Sequence, residues 1–172
     1  MKSHEIFKNM SPALAAEIFT FLQRDQKPVY KAAIQGLANQ RNLRGVFIER
    51  KPPVERYPWL QNALSRPLSD ALASHLLQGW LLAAQKPMLN DFLDALEIAH
   101  EDDGTVEDLP ACPPKEKVAA AAAKLLEKYP AEAVTVYLNA FRDMDSAVKW
   151  PALDEVLAED SRLRLQGTSP AA

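Results

Sequence analysis

One cysteine, five glycines and no long apolar run set the first limits on this chain. With Cys112 alone, no internal disulfide forms, and a single thiol fits a reducing compartment. Cys112 sits in the piece Ala111-Cys112-Pro113-Pro114 with no histidine near it in sequence, so nothing local makes it a thiolate nucleophile. Neither Gly-x-Gly-x-x-Gly nor a phosphate-loop sequence occurs, and no Gly-x-Ser-x-Gly elbow is present. No motif points to a cofactor. The most apolar window, Leu76 to Ala84, is interrupted by Gln78 and runs into Gln85-Lys86-Pro87, too short to span a bilayer. The opening residues show no apolar leader with a small-residue cleavage site, so the expected setting is cytoplasmic and away from membranes.

What remains is a chain of 172 residues, 48% hydrophobic and 25% charged, which is ordinary globular usage and long enough for a core. Its richness in Ala and Leu favours helix, where both residues lose little side-chain entropy. The expectation is an all-α fold of about seven helices in a single domain over residues 1–165, with a small-residue tail at 166–172. It would be either a bundle or a short array of helical hairpins.

Proline punctuates the pattern. Ser11-Pro12 opens a helix, with Ser placed to cap and Pro preorganised for the first turn. Lys27-Pro28, Lys86-Pro87 and Tyr129-Pro130 each join two helices, and Trp150-Pro151 starts another. The first two joints align: Leu22 meets Leu81, Ile34 meets Leu93, Leu37 meets Leu96 and Arg41 meets His100. Residues 67–84 are apolar nearly all round apart from Ser74 and Gln78, so this helix is expected at the centre of the fold. Helices are also expected from Met88 to about Asp102, with Gly104 as left-handed cap, and from Ala131 to Met144, with Met144 packing inward. His75 reads as a boundary residue of the central helix.

The stretch from Arg44 to Leu60, RGVFIERKPPVERYPWL, departs from this background. It holds three prolines, several cations and two large aromatics, and Val46-Phe47-Ile48 resembles a short strand. Charge is also split along the chain. Residues 1–66 carry 11 Lys/Arg and 5 Asp/Glu, whereas residues 67–172 carry 9 and 18. Acids crowd the segment from Asp91 to Asp108, which has no Lys or Arg. Arg, Tyr and Trp anchor interfaces, and a Pro-rich segment loses little entropy on binding. The leading reading is therefore a non-enzymatic interaction or scaffold module. It would bind a protein partner or a second copy of itself through Arg44, Arg50, Lys51, Arg56, Tyr57 and Trp59, with the acidic segment available for charge matching. The competing structural reading pins Phe47, Ile48 and Trp59 under the segment as a buried connector.

Two other readings stand beside it. The basic first part could meet nucleic acid, although no helix-turn-helix, zinc-finger or RNA-binding signature appears and the whole chain is acidic, with a pI near 5.6. An enzyme with an unrecognised helical active site is the third. For a metal, the weak candidates are Glu97 and His100, whose spacing would place both on one face of a helix; di-iron bundles use two such pairs and this chain has one. The piece Glu101 to Glu107 resembles the middle of a calcium loop, but its first position would be Ala99 and its twelfth Pro110.

Overall fold

Ser11 does in space what its sequence position suggests: its Oγ accepts from the Leu14 amide at 3.1 Å and Pro12 opens the helix behind it. The computed structural model describes residues 1–107, 109–144 and 149–165, with the side chain of Met144 outside the described set. The expectations placed on Asp108, on Met144 packing and on the tail at 166–172 therefore fall outside the described residues. Among those residues there are ten α-helices, two short 3-10 turns and no strand, so the fold is all-α with more helices than the seven expected.

The chain divides into two compact units, with the division inside one helix, between Trp80 and Leu81. The first unit holds α1 (Ser3–Asn9), α2 (Pro12–Asp25), α3 (Lys27–Gln40), α4 (Gly45–Glu49), α5 (Pro53–Leu64) and most of α6 (Asp70–Ala84). Helix α2 packs against both α3 and α5, and α1 lies on α5. Phe7 and Phe19 stack at 5.8 Å between ring centres, and Ile6, Leu22, Leu37 and Leu64 are buried in the same unit. A Cβ added at Gly36 would stand 2.8 Å from the Leu72 side chain, so glycine lets α6 lie close on α3.

The second unit holds α7 (Lys86–Ala95), α8 (Lys115–Lys128), α9 (Ala131–Met144) and α10 (Pro151–Glu159). Helix α8 contacts α7, α9 and α10. An aromatic chain runs through it, from Tyr137 to Phe92 at 5.5 Å, Phe92 to Phe141 at 5.4 Å and Phe141 to Trp150 at 5.1 Å. Edge-on and tilted rings of this kind add attraction beyond burial.

The helix wrapped on all sides is α9. Every residue from Ala133 to Ala140 is buried. Thr135 and Asn139 survive there by turning back on their own helix: Thr135 Oγ1 donates to the Ala131 carbonyl at 2.7 Å and Asn139 Nδ2 to the Thr135 carbonyl at 2.9 Å. Helix α6, expected to be the covered one, buries Ala73, Leu76, Leu77, Trp80 and Leu81 but leaves His75 and Leu82 exposed.

The two aligned proline joints share their geometry. Gln26 ends α2 and starts α3, and Gln85 ends α6 and starts α7. Gln26 N–H donates to Leu22 and Gln85 N–H to Leu81, the pair matched in sequence. The helices that follow differ in length. Helix α3 closes with Asn42 at φ 53, the Leu43 amide reaching back to the Ala38 carbonyl. Helix α7 closes one turn sooner, with Glu97 at φ 58, Glu97 N–H on Asp94 and Ile98 N–H on Leu93. Both are Schellman closures, in which a left-handed residue lets two amides satisfy the last carbonyls. Glu97 thus supplies the left-handed cap expected of Gly104. Gly104 does take φ +83, but in a separate turn where its amide donates to the Glu101 carbonyl.

Candidate functional site

The segment from Arg44 to Leu60 is helical at both ends. Val46, Phe47 and Ile48 belong to α4, not to a strand, and α5 begins at Pro53. Helix wins at α4 because no strand lies beside it to pair with, whereas a single turn buries Ile48 against α3. The apolar residues then divide. Ile48 and Leu60 are buried and Trp59 is half-buried, while Phe47 is 55% exposed and Val54 78% exposed. Neither a fully buried connector nor a fully free surface results.

The six residues singled out from sequence separate in the same way. Arg44 and Arg50 are exposed, and Lys51 stands 3.9 Å from Glu55. Trp59 carries the Arg41 guanidinium over its ring at 5.1 Å. Arg41 is held below the usual arginine range, first by partial burial and then by the neighbouring Arg66 charge. Tyr57 leans on Phe19 at 5.6 Å, and its hydroxyl lies 3.2 Å from Gln23 Oε1.

Arg56 departs furthest from its expected role. It is 6% exposed, and its guanidinium ties α5 to two other elements: Nη1 donates to the Glu49 carbonyl at the end of α4 at 2.7 Å, and Nη2 to Gln23 Oε1 on α2 at 3.1 Å. Both acceptors are neutral. Arg56 Nε is buried without a partner, and so is the Tyr30 hydroxyl. Burial pushes the Tyr30 phenol up to about 12, with Arg56 pulling the other way and Tyr57 and Glu49 adding to the rise. Gln23, Lys27, Tyr30, Lys31, Glu49 and Arg56 line one cleft of about 330 Å³. Sequence reasoning missed this grouping because its members come from α2, α3, α4 and α5.

The proposed helical face shared by Glu97 and His100 does not exist, since α7 ends at Ala95 and Glu97 is the left-handed cap. Glu97 instead accepts from Lys117 Nζ at 2.6 Å, which holds its carboxyl below the usual range. His100 engages both ring nitrogens, Nδ1 at 2.7 Å from the Glu101 carbonyl and Nε2 at 3.1 Å from Asp94. These contacts, the Glu101 carbonyl first, raise its pKa above the ordinary histidine value. No cluster of three or more metal-ligating side chains occurs among the described residues. In the calcium-loop resemblance, Thr105 N–H donates to Asp103 Oδ1 and Glu101 N–H to the Thr105 carbonyl, a self-closed turn.

Part of the acidic segment is neutralised inside the second unit. Asp91 is bound by Lys128 and the Tyr129 hydroxyl, Glu97 by Lys117 and Asp94 by His100. In the first unit Lys27, Lys31, Arg44 and Arg50 have no ion pair among the described residues. Among the described residues no helix is long and apolar enough to cross a membrane. No protein-family model, curated protein or solved structure matches the chain.

Proposed function

We propose that this protein is an interaction or scaffold module that binds a protein partner, or a second copy of itself, through the surface around residues 44–60. One observation carries the reading. Four of the six exposed large hydrophobic side chains among the described residues, Leu43, Val46, Phe47 and Val54, lie in or next to this segment, and Leu68 and Leu82 are the other two. Exposed apolar side chains scattered singly need no explanation, but a concentration beside unpaired cations is the composition of a contact surface. Arg44 and Arg50 flank it, and Arg41, over the Trp59 ring, feels the like charge of Arg66, an arrangement that an acidic partner would relieve.

A nucleic-acid reading would draw on the same cations. Val46 and Val54 weigh against it, because aliphatic side chains offer no ring for a base to stack on. Tyr57 and Trp59 already lean on Phe19 and Arg41. The polar cleft beside Arg56 is the feature an enzyme reading would draw on.

The test is a paired substitution. Phe47→Glu with Val54→Glu places charge on two exposed positions, so circular dichroism is expected to stay unchanged. The wild-type chain is expected to associate, with itself or with a protein partner, in sedimentation velocity, and the variant to lose that association. Ala119→Glu, on an exposed face of α8, serves as control and keeps that association. Equal association by both variants would sink the proposal.

A further inference from the structure

The geometry points to a phosphate-binding site in the cleft lined by Lys27, Tyr30, Lys31 and Arg56, a feature distinct from the apolar contact surface above. Three observations support an anion as the occupant. The Arg56 guanidinium is 6% exposed yet hydrogen-bonds only to a main-chain carbonyl and an amide oxygen, with no carboxylate paired to it among the described residues. A buried charge without a counter-charge is costly, so such groups are ordinarily paired.

Two donors at this site have no acceptor, Arg56 Nε and the Tyr30 hydroxyl, and Tyr30 is only 4% exposed. Buried donors left without acceptors are uncommon in native structures and call for an explanation. Lys27 opens α3 and Lys31 follows one turn later, both lining the cleft. That helix start has no side-chain cap and no acid in its first turn. Cations at the positive end of a helix dipole are unfavourable, and an anion held there reverses the sign.

Charge selects the class of ligand. The lining holds three cations, Lys27, Lys31 and Arg56, against one acid, Glu49. An excess of two positive charges matches a phosphate monoester, which carries about −1.5 to −2 near neutral pH, better than a single carboxylate. Guanidinium and ammonium groups are the side chains that hold phosphate oxygens by charge-assisted hydrogen bonds. Glu49 opposes the ligand and sets its affinity lower than the cations alone would give.

The experiment is an amide NMR titration of the full chain at constant ionic strength with four probes: inorganic phosphate, a neutral peptide bearing one phosphoserine, sodium acetate and sodium chloride. Saturable shifts centred on Gln23, Lys27, Tyr30, Lys31 and Arg56 are expected with both phosphate probes, and weaker ones with acetate. Tighter binding of the peptide identifies a phosphorylated protein side chain as the source, and equal or tighter binding of inorganic phosphate identifies a small phosphorylated compound. Lys31→Gln, an exposed position, is expected to weaken phosphate roughly tenfold, the loss of one charge-assisted contact. Glu49→Gln is expected to tighten it. Shifts no larger than those from chloride, or a dissociation constant indifferent to both substitutions, overturn the site. Neither variant touches Phe47 or Val54, so failure here leaves the contact-surface reading separately testable.

Discussion

Arg56 reaches back from α5 to the last carbonyl of α4, donating to Glu49 at 2.7 Å, and so uses a buried charge to close a connector. The carbonyl end of a helix is the favourable place for a cation. Arg56→Ala is expected to lose about 2–3 kcal/mol in urea denaturation, the scale of charged hydrogen bonds left unmade. Arg56→Met, which refills the space, should lose less. Faster amide exchange confined to residues 45–53 would show that the loss is local, and an unchanged stability in both variants would count against the tie.

Tyr30 offers a gain. Its hydroxyl is buried without a partner, so Tyr30→Phe is expected to stabilise the ligand-free chain by about 1 kcal/mol in thermal or chemical unfolding. A clear destabilisation would mean that the hydroxyl has an acceptor after all. Its pKa, pushed up to about 12, carries a pH signature too. Between the unfolded value near 10 and the folded value the native chain binds the extra proton. Stability contributed by this group is full below about pH 10 and is lost as pH rises toward 12.

Glu97 occupies a left-handed position with a Cβ that disfavours it. Glu97→Gly and Glu97→Ala both remove the exposed pair with Lys117, which is worth little. They differ in backbone cost. The glycine variant is expected to be more stable than the alanine variant by about 1 kcal/mol, measured by denaturant midpoint. Equal midpoints would contradict the Schellman closure at this residue.

His100 links the loop after α7 to pH. Donating from both nitrogens requires the protonated ring, and its pKa is raised by the Glu101 carbonyl and Asp94. A raised histidine pKa gives stability that is complete below the unfolded value near 6.5 and lost as pH rises through the folded value. Amide exchange at residues 96–105 should therefore quicken as pH passes from about 6 to 8, after correction for intrinsic rates, and His100→Gln should flatten that dependence. An NMR titration placing His100 at or below the ordinary value would remove the basis for this.

The proline joints were legible from sequence because their signals are local: Ser11 caps, proline fixes φ, and Gln26 and Gln85 repeat one turn in two places. The end of α7 was not. The apolar spacing from Leu89 to Leu96 continues to His100, and no glycine or proline marks Glu97 as a stop; the left-handed turn is favoured because it buries Ile98 over the last turn. The wrapped character of α9 was hidden by Thr135 and Asn139, polar residues that satisfy themselves on carbonyls one turn back. Arg56 reads in sequence as one more outward cation. Its guanidinium bonds Gln23, thirty-three positions away, a pairing that periodicity cannot see.

The most direct test of the central claim is site-specific photo-crosslinking in cells, with the reactive residue at position 47, 54 or 119. The contact surface predicts strong protein adducts, to a second copy or to one recurrent partner, from positions 47 and 54 and few from 119. Adducts no stronger at 47 and 54 than at 119 would contradict it.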